Sequence, residues 1–277
     1  MLDVTIEFKN KPLFQRAQFS TPLRYQSNLA DFSCFFYIRE GEYQVIEASG
    51  AYQVSKNEAL LKKCGNYISN FTATEQNAQA EAIAIYFHPD ILQSIYSHEL
   101  YELINDEESL STPVKLGNEL IDKYINNLVI YLDNPSLIDD DLAVLKFKEL
   151  IMILMKSQHR QSVRDFFKTL FDSRELEFQK IVENNIFNPL SIEELAFICN
   201  KSLSNFKRSF KQHFQESPAR YIKQRRLERA AQLLISSPES ISGIAYQCCF
   251  EDPSTFSSVF LNHFGLSPSQ YRNQNRK

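Results

Sequence analysis

No stretch of the 277 residues approaches the roughly 20 consecutive apolar residues that a membrane-spanning helix needs. The opening MLDVTIEFKNK lacks both the basic n-region and the apolar h-region of a secretion signal. No C-x-x-C pair occurs, which argues against a zinc site built from paired cysteines. The five cysteines, Cys34, Cys64, Cys199, Cys248 and Cys249, are an odd number without regular spacing. In a chain with no export signal they read as reduced thiols of the cytoplasm. Cys34 and Cys64 are expected as small buried residues rather than redox sensors. These shortages point away from a membrane protein and from a disulfide-stapled secreted domain.

Apolar residues make up 43% of the chain, with 22 Phe and 13 Tyr, enough for two packed domains of ordinary size. The net charge of −4 conceals an asymmetry. Residues 170–277 carry 14 Lys and Arg against 11 Asp and Glu, whereas residues 1–169 carry 16 against 23. Lys201, Lys207, Arg208, Lys211, Arg220, Lys223, Arg225, Arg226 and Arg229 fall in one stretch, which predicts an electropositive face on the C-terminal half.

That half contains a repeat. HFQESPARY (213–221) returns as HFGLSPSQY (263–271). Phe206 and Phe210 match Phe256 and Phe260 at the same offset of 50, and Ile192, Leu195, Ala196 and Cys199 match Ile241, Ile244, Ala245 and Cys248 at an offset of 49. Each copy reads as a short helix, a tight turn and a second helix. Ser191-x-x-Glu194 is a capping box, and Ser267-x-x-Gln270 another. Asn200-Lys201 supplies a turn residue that tolerates left-handed backbone. Ser202 and Asp252 are expected N-caps, as is Ser217 ahead of Pro218. Two helices joined by such a turn form a helix-turn-helix unit, whose second helix fits the DNA major groove. A lone copy is weak evidence; two copies bridged by a basic amphipathic helix are specific. His213 and His263, at helix C-termini, fit the helix dipole better than a metal.

Residues from about 175 to 273 resemble the DNA-binding domain of AraC/XylS-type transcriptional regulators. The signature is carried by ISGIAYQCCFEDPSTFSSVFLNHFGLSPSQYR (241–272), with Arg226-Leu227, Ala230 and Leu233-Leu234 as the linker-helix pattern. Two departures stand out. Cys249 occupies the place where the family usually has glycine, so a remodelled second turn is expected. Phe260 is followed by Leu261-Asn262, where a basic residue is common. On the first recognition helix Ser204, Asn205, Lys207, Arg208 and Lys211 lie off the apolar face, and arginine can bond guanine bidentately. On the second, Ser254, Thr255, Ser257 and Ser258 carry no cation. These nine residues are the expected DNA contacts, with the first copy dominant.

Residues 1–88 alternate apolar runs with turn signals, FSCFFYI, EYQVIEA, AYQVS, EALLKKCG, YISNFT and AEAIAIYF, with hairpin turns expected at Glu40-Gly41-Glu42 and Ser49-Gly50. This layout resembles the cupin-like sensor barrel of AraC-type regulators, and within them the ExsA-like subset, whose signal is a partner protein. A metal cupin needs two or three histidines with a carboxylate; before residue 90 there is only His88, so neither metal nor cofactor is expected. Residues 90–168 read as helical. Leu120, Ile121, Tyr124, Leu128 and Tyr131 make one apolar stripe, Leu142, Leu145, Leu150, Ile153 and Leu154 another, separated by Asp133-Asn-Pro-Ser136. The resemblance implies a subunit contact there; packing on the barrel is the other reading. A hinge is expected near Asp172-Ser173-Arg174.

The expected fold is thus α+β: a cupin-like β-barrel with a helical dimerisation segment over 1–171 (barrel 1–88, helices 90–168), then an all-α domain with two helix-turn-helix motifs over 172–277. The resemblance implies a cytoplasmic, sequence-specific transcription regulator, an activator acting with RNA polymerase as a homodimer on double-stranded DNA, controlled by a small ligand or regulatory protein. The alternative is an enzyme or DNA-repair protein with a borrowed DNA-binding domain; it would need an upstream nucleophile or metal cluster, and none is visible. A surface for protein contacts alone is the third reading.

Overall fold

The computed structural model describes residues 2–29, 32–72, 79–96, 115–117, 119–171 and 178–275, and the chain divides into two compact units near residue 175. The expected hinge at Asp172-Ser173-Arg174 lies outside the described residues.

The N-terminal unit is built on two antiparallel sheets. Strands β1 (Leu2–Phe8), β2 (Lys11–Ser20), β3 (Leu23–Leu29), β4 (Ser33–Glu40), β5 (Glu42–Glu47), β6 (Gly50–Val54), β7 (Glu58–Lys62), β8 (Gly65–Thr72), β9 (Gln79–Phe87) and β10 (Lys115–Leu116) follow in chain order. The larger sheet runs β1-β2-β9-β4-β7-β10 and the smaller β3-β8-β5-β6, a two-sheet form of the expected cupin-like fold. The six apolar runs are β4 to β9. Strands β1 to β3 are absent from those runs, since their sequences interleave polar residues at most positions.

Ser49-Gly50 joins two neighbouring strands of one sheet, as expected of a hairpin. Glu40-Gly41-Glu42 does not: β4 and β5 belong to different sheets, so the chain changes layer there. Gly41 (φ 89°) serves that corner, because a Cβ would lie 3.1 Å from the Ala80 Cβ and 3.2 Å from the Thr72 carbonyl oxygen.

Strand β9 is buried on both faces, which is why its sequence is almost continuously apolar. Ala80 and Ala82 face the layer between the sheets. Ile83, Ile85 and Phe87 face a second core shared with helices α1 (Pro89–Tyr96), α2 (Glu119–Asp133), α3 (Asp140–Met155) and α4 (Arg160–Phe171). There Phe87 meets Phe147, Phe166 and Phe167 at ring-centroid distances of 5.6, 5.8 and 5.2 Å. The region expected to be wholly helical thus includes one short strand, β10, pairing with β7.

The two expected stripes divide. Ile121, Tyr124, Leu128, Leu150 and Leu154 are buried in this second core, whereas Leu120 and Leu145 are 57% and 62% exposed. Cys34 is buried as expected, and burial pushes its thiol up to about 11. Cys64 departs from the expectation: it is exposed, its thiol 3.3 Å from the Phe32 carbonyl. His88 is buried, its ring bonded to the Pro12 carbonyl at 2.9 Å.

The C-terminal unit consists of α5 (Phe178–Asn185), α6 (Ile192–Ile198), α7 (Leu203–Phe214), α8 (Pro218–Ser236), α9 (Ile241–Gln247), α10 (Pro253–Phe264) and α11 (Pro268–Asn275). No helix among the described residues is long and apolar enough to cross a membrane.

Candidate nucleic-acid interface

Helices α6–α7 and α9–α10 are the two helix-turn-helix pairs, and their turns are superposable in hydrogen bonding. In the first, Lys201 N donates to the Ala196 carbonyl at 3.0 Å and Asn200 N to that of Phe197 at 2.9 Å. In the second, Phe250 N donates to the Ala245 carbonyl at 3.0 Å and Cys249 N to that of Tyr246 at 2.9 Å. Both are Schellman turns, which close an α-helix by reversing the sign of φ at one residue. That residue is Asn200 (φ 53°) in one copy and Cys249 (φ 59°) in the other. The expected remodelling of the second turn does not occur; the cysteine takes the left-handed backbone, and its thiol lies 3.0 Å from the Phe187 carbonyl. The one-residue insertion falls at Glu251, after the turn and before the Asp252 cap.

The repeated phrase packs each recognition helix against the next one. Phe206 and Phe210 are fully buried with ring centroids 5.5 Å apart, as are Phe256 and Phe260. Phe210 lies 4.5 Å from Phe214 and 5.6 Å from Tyr221; Phe260 lies 4.5 Å from Phe264 and 5.4 Å from Tyr271. Left-handed Gln215 and Gly265 end the two helices alike. The Ser191 capping box is present, and Ser267 and Gln270 bond reciprocally at 3.0 and 3.3 Å. Ser202 and Asp252 cap as expected. Ser217 occupies the cap position, but its hydroxyl accepts no cap bond; Pro218 already lacks one of the N–H groups to be satisfied. His213 and His263 sit in the last turns of α7 and α10.

Ser204, Asn205, Lys207, Arg208 and Lys211 are all exposed on α7. Arg208 is held in place by its own helix, donating to Asn205 Oδ1 at 3.1 Å. Among the described residues Lys207 and Lys211 form no ion pair. On α10, Ser254, Thr255 and Ser258 are exposed and Ser257 half-buried. All four hydroxyls donate to their own helix: Ser254 and Thr255 to Asp252, Ser257 to the Pro253 carbonyl and Ser258 to that of Ser254. Asp252 also accepts from the backbone of Ser254 and Thr255, and these bonds hold its carboxyl well below the usual carboxylate range. A fixed anion therefore stands at the start of the second recognition helix. The Asp-Pro spacing marked it as a cap, but its grip on both hydroxyls needs the folded turn.

The basic stretch is less uniform than its charge count. Arg225 pairs with Glu183 at 3.2 Å, Arg220 with Glu216 at 3.3 Å, and Arg229 lies over the Phe187 ring at 4.4 Å. Arg226 is a brace that sequence reading missed: its guanidinium donates to the carbonyls of Ile186, Asn188 and Cys249 at 3.0, 2.8 and 3.3 Å. One side chain thus ties α8 to the second turn and to the loop before α6. Its position within a run of exposed-looking cations hid that role. Among the described residues no group of three His, Cys, Asp or Glu could hold a metal.

The helix-turn-helix domain family matches residues 195–274, and the ExsA N-terminal regulatory domain family matches residues 33–166. These are the two domain types of AraC-type regulators, and AraC-family regulators are among the relatives that the chain resembles. Among the members of this family, the virulence regulon transcriptional activator VirF of Yersinia enterocolitica is 25% identical over 245 residues, 86% of this chain and 88% of its own length. An HTH-type transcriptional regulator of Haemophilus influenzae is 42% identical over 85 residues, 31% of this chain and 28% of its own length. The chain therefore spans less than a third of that relative. A solved structure of ToxT from Vibrio cholerae is 17% identical, covers 96% of this chain and 100% of its own, and has a TM-score of 0.41. The helix-turn-helix match makes the C-terminal unit a DNA-binding domain.

Proposed function

We propose that the protein is a sequence-specific transcription activator that binds double-stranded DNA as a homodimer, recruits RNA polymerase, and answers to a small ligand or regulatory protein. In this reading residues 1–171 sense and dimerise and residues 172–277 bind DNA. The observation that carries it is the pair of matching turns: two recognition helices are set by the same hydrogen bonds and joined through one helix, α8. Ser204, Asn205, Lys207, Arg208 and Lys211 contact one major groove, with Ser254, Thr255, Ser257 and Ser258 at the next, about 34 Å along one face of the duplex. The dimer contact is assigned to the exposed apolar side chains of the helical segment, Ile130, Leu145 and Met152, which are 52%, 62% and 54% exposed. Binding a ligand or partner acts by favouring one arrangement of subunits or domains over another.

The test is binding-site selection from random DNA with the full chain, followed by affinity measurements over a range of salt. A preferred site whose affinity falls steeply with salt supports the reading. No selected sequence, or affinity indifferent to salt, rejects it in favour of a surface for protein contacts.

A further inference from the structure

Three successive carbonyls in the loop between α5 and α6 all accept from side chains that lie later in the chain. Arg226 Nε donates to the Ile186 carbonyl at 3.0 Å and Nη2 to that of Asn188 at 2.8 Å. The Cys249 thiol donates to the carbonyl between them, that of Phe187, at 3.0 Å. Arg226 Nη1 donates to the Cys249 carbonyl at 3.3 Å, which joins the two side chains to each other. A residue of α8 and a residue of the second turn thus clasp the loop that leads into the first helix-turn-helix pair. The guanidinium suits this task because its donors are fixed in one plane. Each of its nitrogens already donates to a protein carbonyl, and among the described residues no carboxylate pairs with it. Arg226 therefore supplies geometry rather than charge.

The clasp sits where the two pairs have little else to hold them together. Helix α8 is the chain's link between them, 19 residues and roughly 28 Å long. Its first turn packs on the first pair, with Tyr221 at 4.6 Å from Phe214. Its later turns pack on the second, where Leu227, Ala230 and Leu234 share a core with Ile244, Phe256 and Phe260. Beside Arg226 a cleft of about 300 Å³ opens between Leu190 and Ile192 of the first pair, Ala219 and Ile222 of α8, and Phe250 of the second turn. That gap leaves room for the second pair to tilt on α8. A single helix resists tilting only through its own stiffness, whereas a second attachment away from the helix axis acts as a strut. Cys249 adds to that strut. A glycine there would take the left-handed φ with less strain, but it would leave the Phe187 carbonyl without this donor.

We propose that Arg226 and Cys249 are positioning residues that fix the spacing of the two DNA half-sites by clasping loop 186–188 across the gap between the helix-turn-helix pairs. This deepens the DNA-binding reading and rests on it. One added base pair moves a half-site by about 3.4 Å along the duplex and about 35° around it. A clasped second helix is unable to follow that displacement, and a released one follows it in part.

The test measures affinity of the full-length protein for its selected site and for the same site with one base pair inserted between the halves. The insertion should cost the wild-type protein about tenfold or more, the scale of a mismatched base pair. In Arg226→Met, with a wild-type circular dichroism spectrum, the penalty should fall below about threefold. Arg226→Lys, whose ammonium reaches fewer of the carbonyls, should lie between them. Cys249→Gly keeps the turn and removes only the thiol; it should lower the penalty as well, and it replaces Arg226→Met if that variant does not fold. A folded variant that binds both sites more weakly but keeps the wild-type penalty has lost stability alone, and overturns the proposal. A wild-type penalty below about threefold overturns it too. A second measurement does without DNA: spin labels on keto amino acids installed at Gln212 and Asn262, exposed positions of α7 and α10. Their distance distribution should broaden in Arg226→Met, and an unchanged distribution overturns the clasp. Failure of the wild-type protein to select any site removes the DNA-binding reading instead, and the label distances then decide the clasp by themselves.

Discussion

Asn200 and Cys249 hold the same place in their two turns, with left-handed φ of 53° and 59° and matching bonds to the preceding helix. Asparagine takes this backbone at little cost; a cysteine pays on the order of 1 kcal/mol, and a β-branched residue more. Cys249→Gly should therefore change stability by less than about 1 kcal/mol, the relief of strain being offset by loss of the thiol contact to Phe187. Cys249→Val should destabilise by about 1–2 kcal/mol. Urea unfolding compares the two, and equal midpoints would show that the turn is set by its neighbours rather than by that φ.

Arg208 and Lys211 differ in what their loss should do. Arg208→Ala is expected to cost about 1–3 kcal/mol at the selected site and to relax base choice at one position. Lys211→Ala should weaken all sequences alike and flatten the salt slope by about one. Affinities on selected and random DNA separate these outcomes, and an equal loss on both for Arg208→Ala would demote it to a phosphate contact.

The second recognition helix should read its half-site loosely. Its hydroxyls are engaged with their own helix, Asp252 adds a negative charge, and it carries no cation. The half facing α10 is expected to be degenerate and A·T-leaning, through methyl contacts and DNA shape. Ser258→Arg should tighten binding and sharpen base choice there. Selection yielding two equally sharp halves with the wild-type protein would show that charge does not rank the two helices.

Leu145→Glu should shift the protein toward monomer without unfolding it, since that side chain is 62% exposed. Leu128, from the other expected stripe, is fully buried, so Leu128→Glu should unfold the N-terminal unit by burying an unpaired carboxylate. Sedimentation at micromolar concentration checks the first and circular dichroism the second. A folded Leu145→Glu protein sedimenting like wild type removes this face from the interface.

Asp252 should make the C-terminal unit acid-sensitive. Its folded pKa lies below the ordinary 3.8 because the carboxylate accepts bonds from Ser254 and Thr255. The stability it contributes is complete above the unfolded value and is lost as pH falls toward the folded one. The difference in urea midpoint between wild type and Asp252→Asn should accordingly shrink from pH 5 downward. A constant difference across that range would mean that the cap does not depend on charge.

Periodicity and capping chemistry were enough to read the C-terminal unit from the chain alone. Its contacts are local, so Phe206, Phe210 and Tyr221, or Ser191 and Glu194, meet through helix geometry and short turns. In the N-terminal unit the alternation marked β4 to β9, but which strands pair is a long-range choice. Gly41 reads as a hairpin and is a change of sheet because β9, forty residues on, takes the place beside β4. The same limit applies to single side chains. Leu120 and Ile121 look alike in a stripe, and only packing against β1 and β2 decided which is buried. Arg226 reads as one cation in a basic run until three carbonyls from two separate loops converge on it. Lys62 lies within the run EALLKKCG, and nothing in that run marks it as buried. Its burial follows from two sheets closing over it, a consequence of tertiary packing that no local pattern encodes.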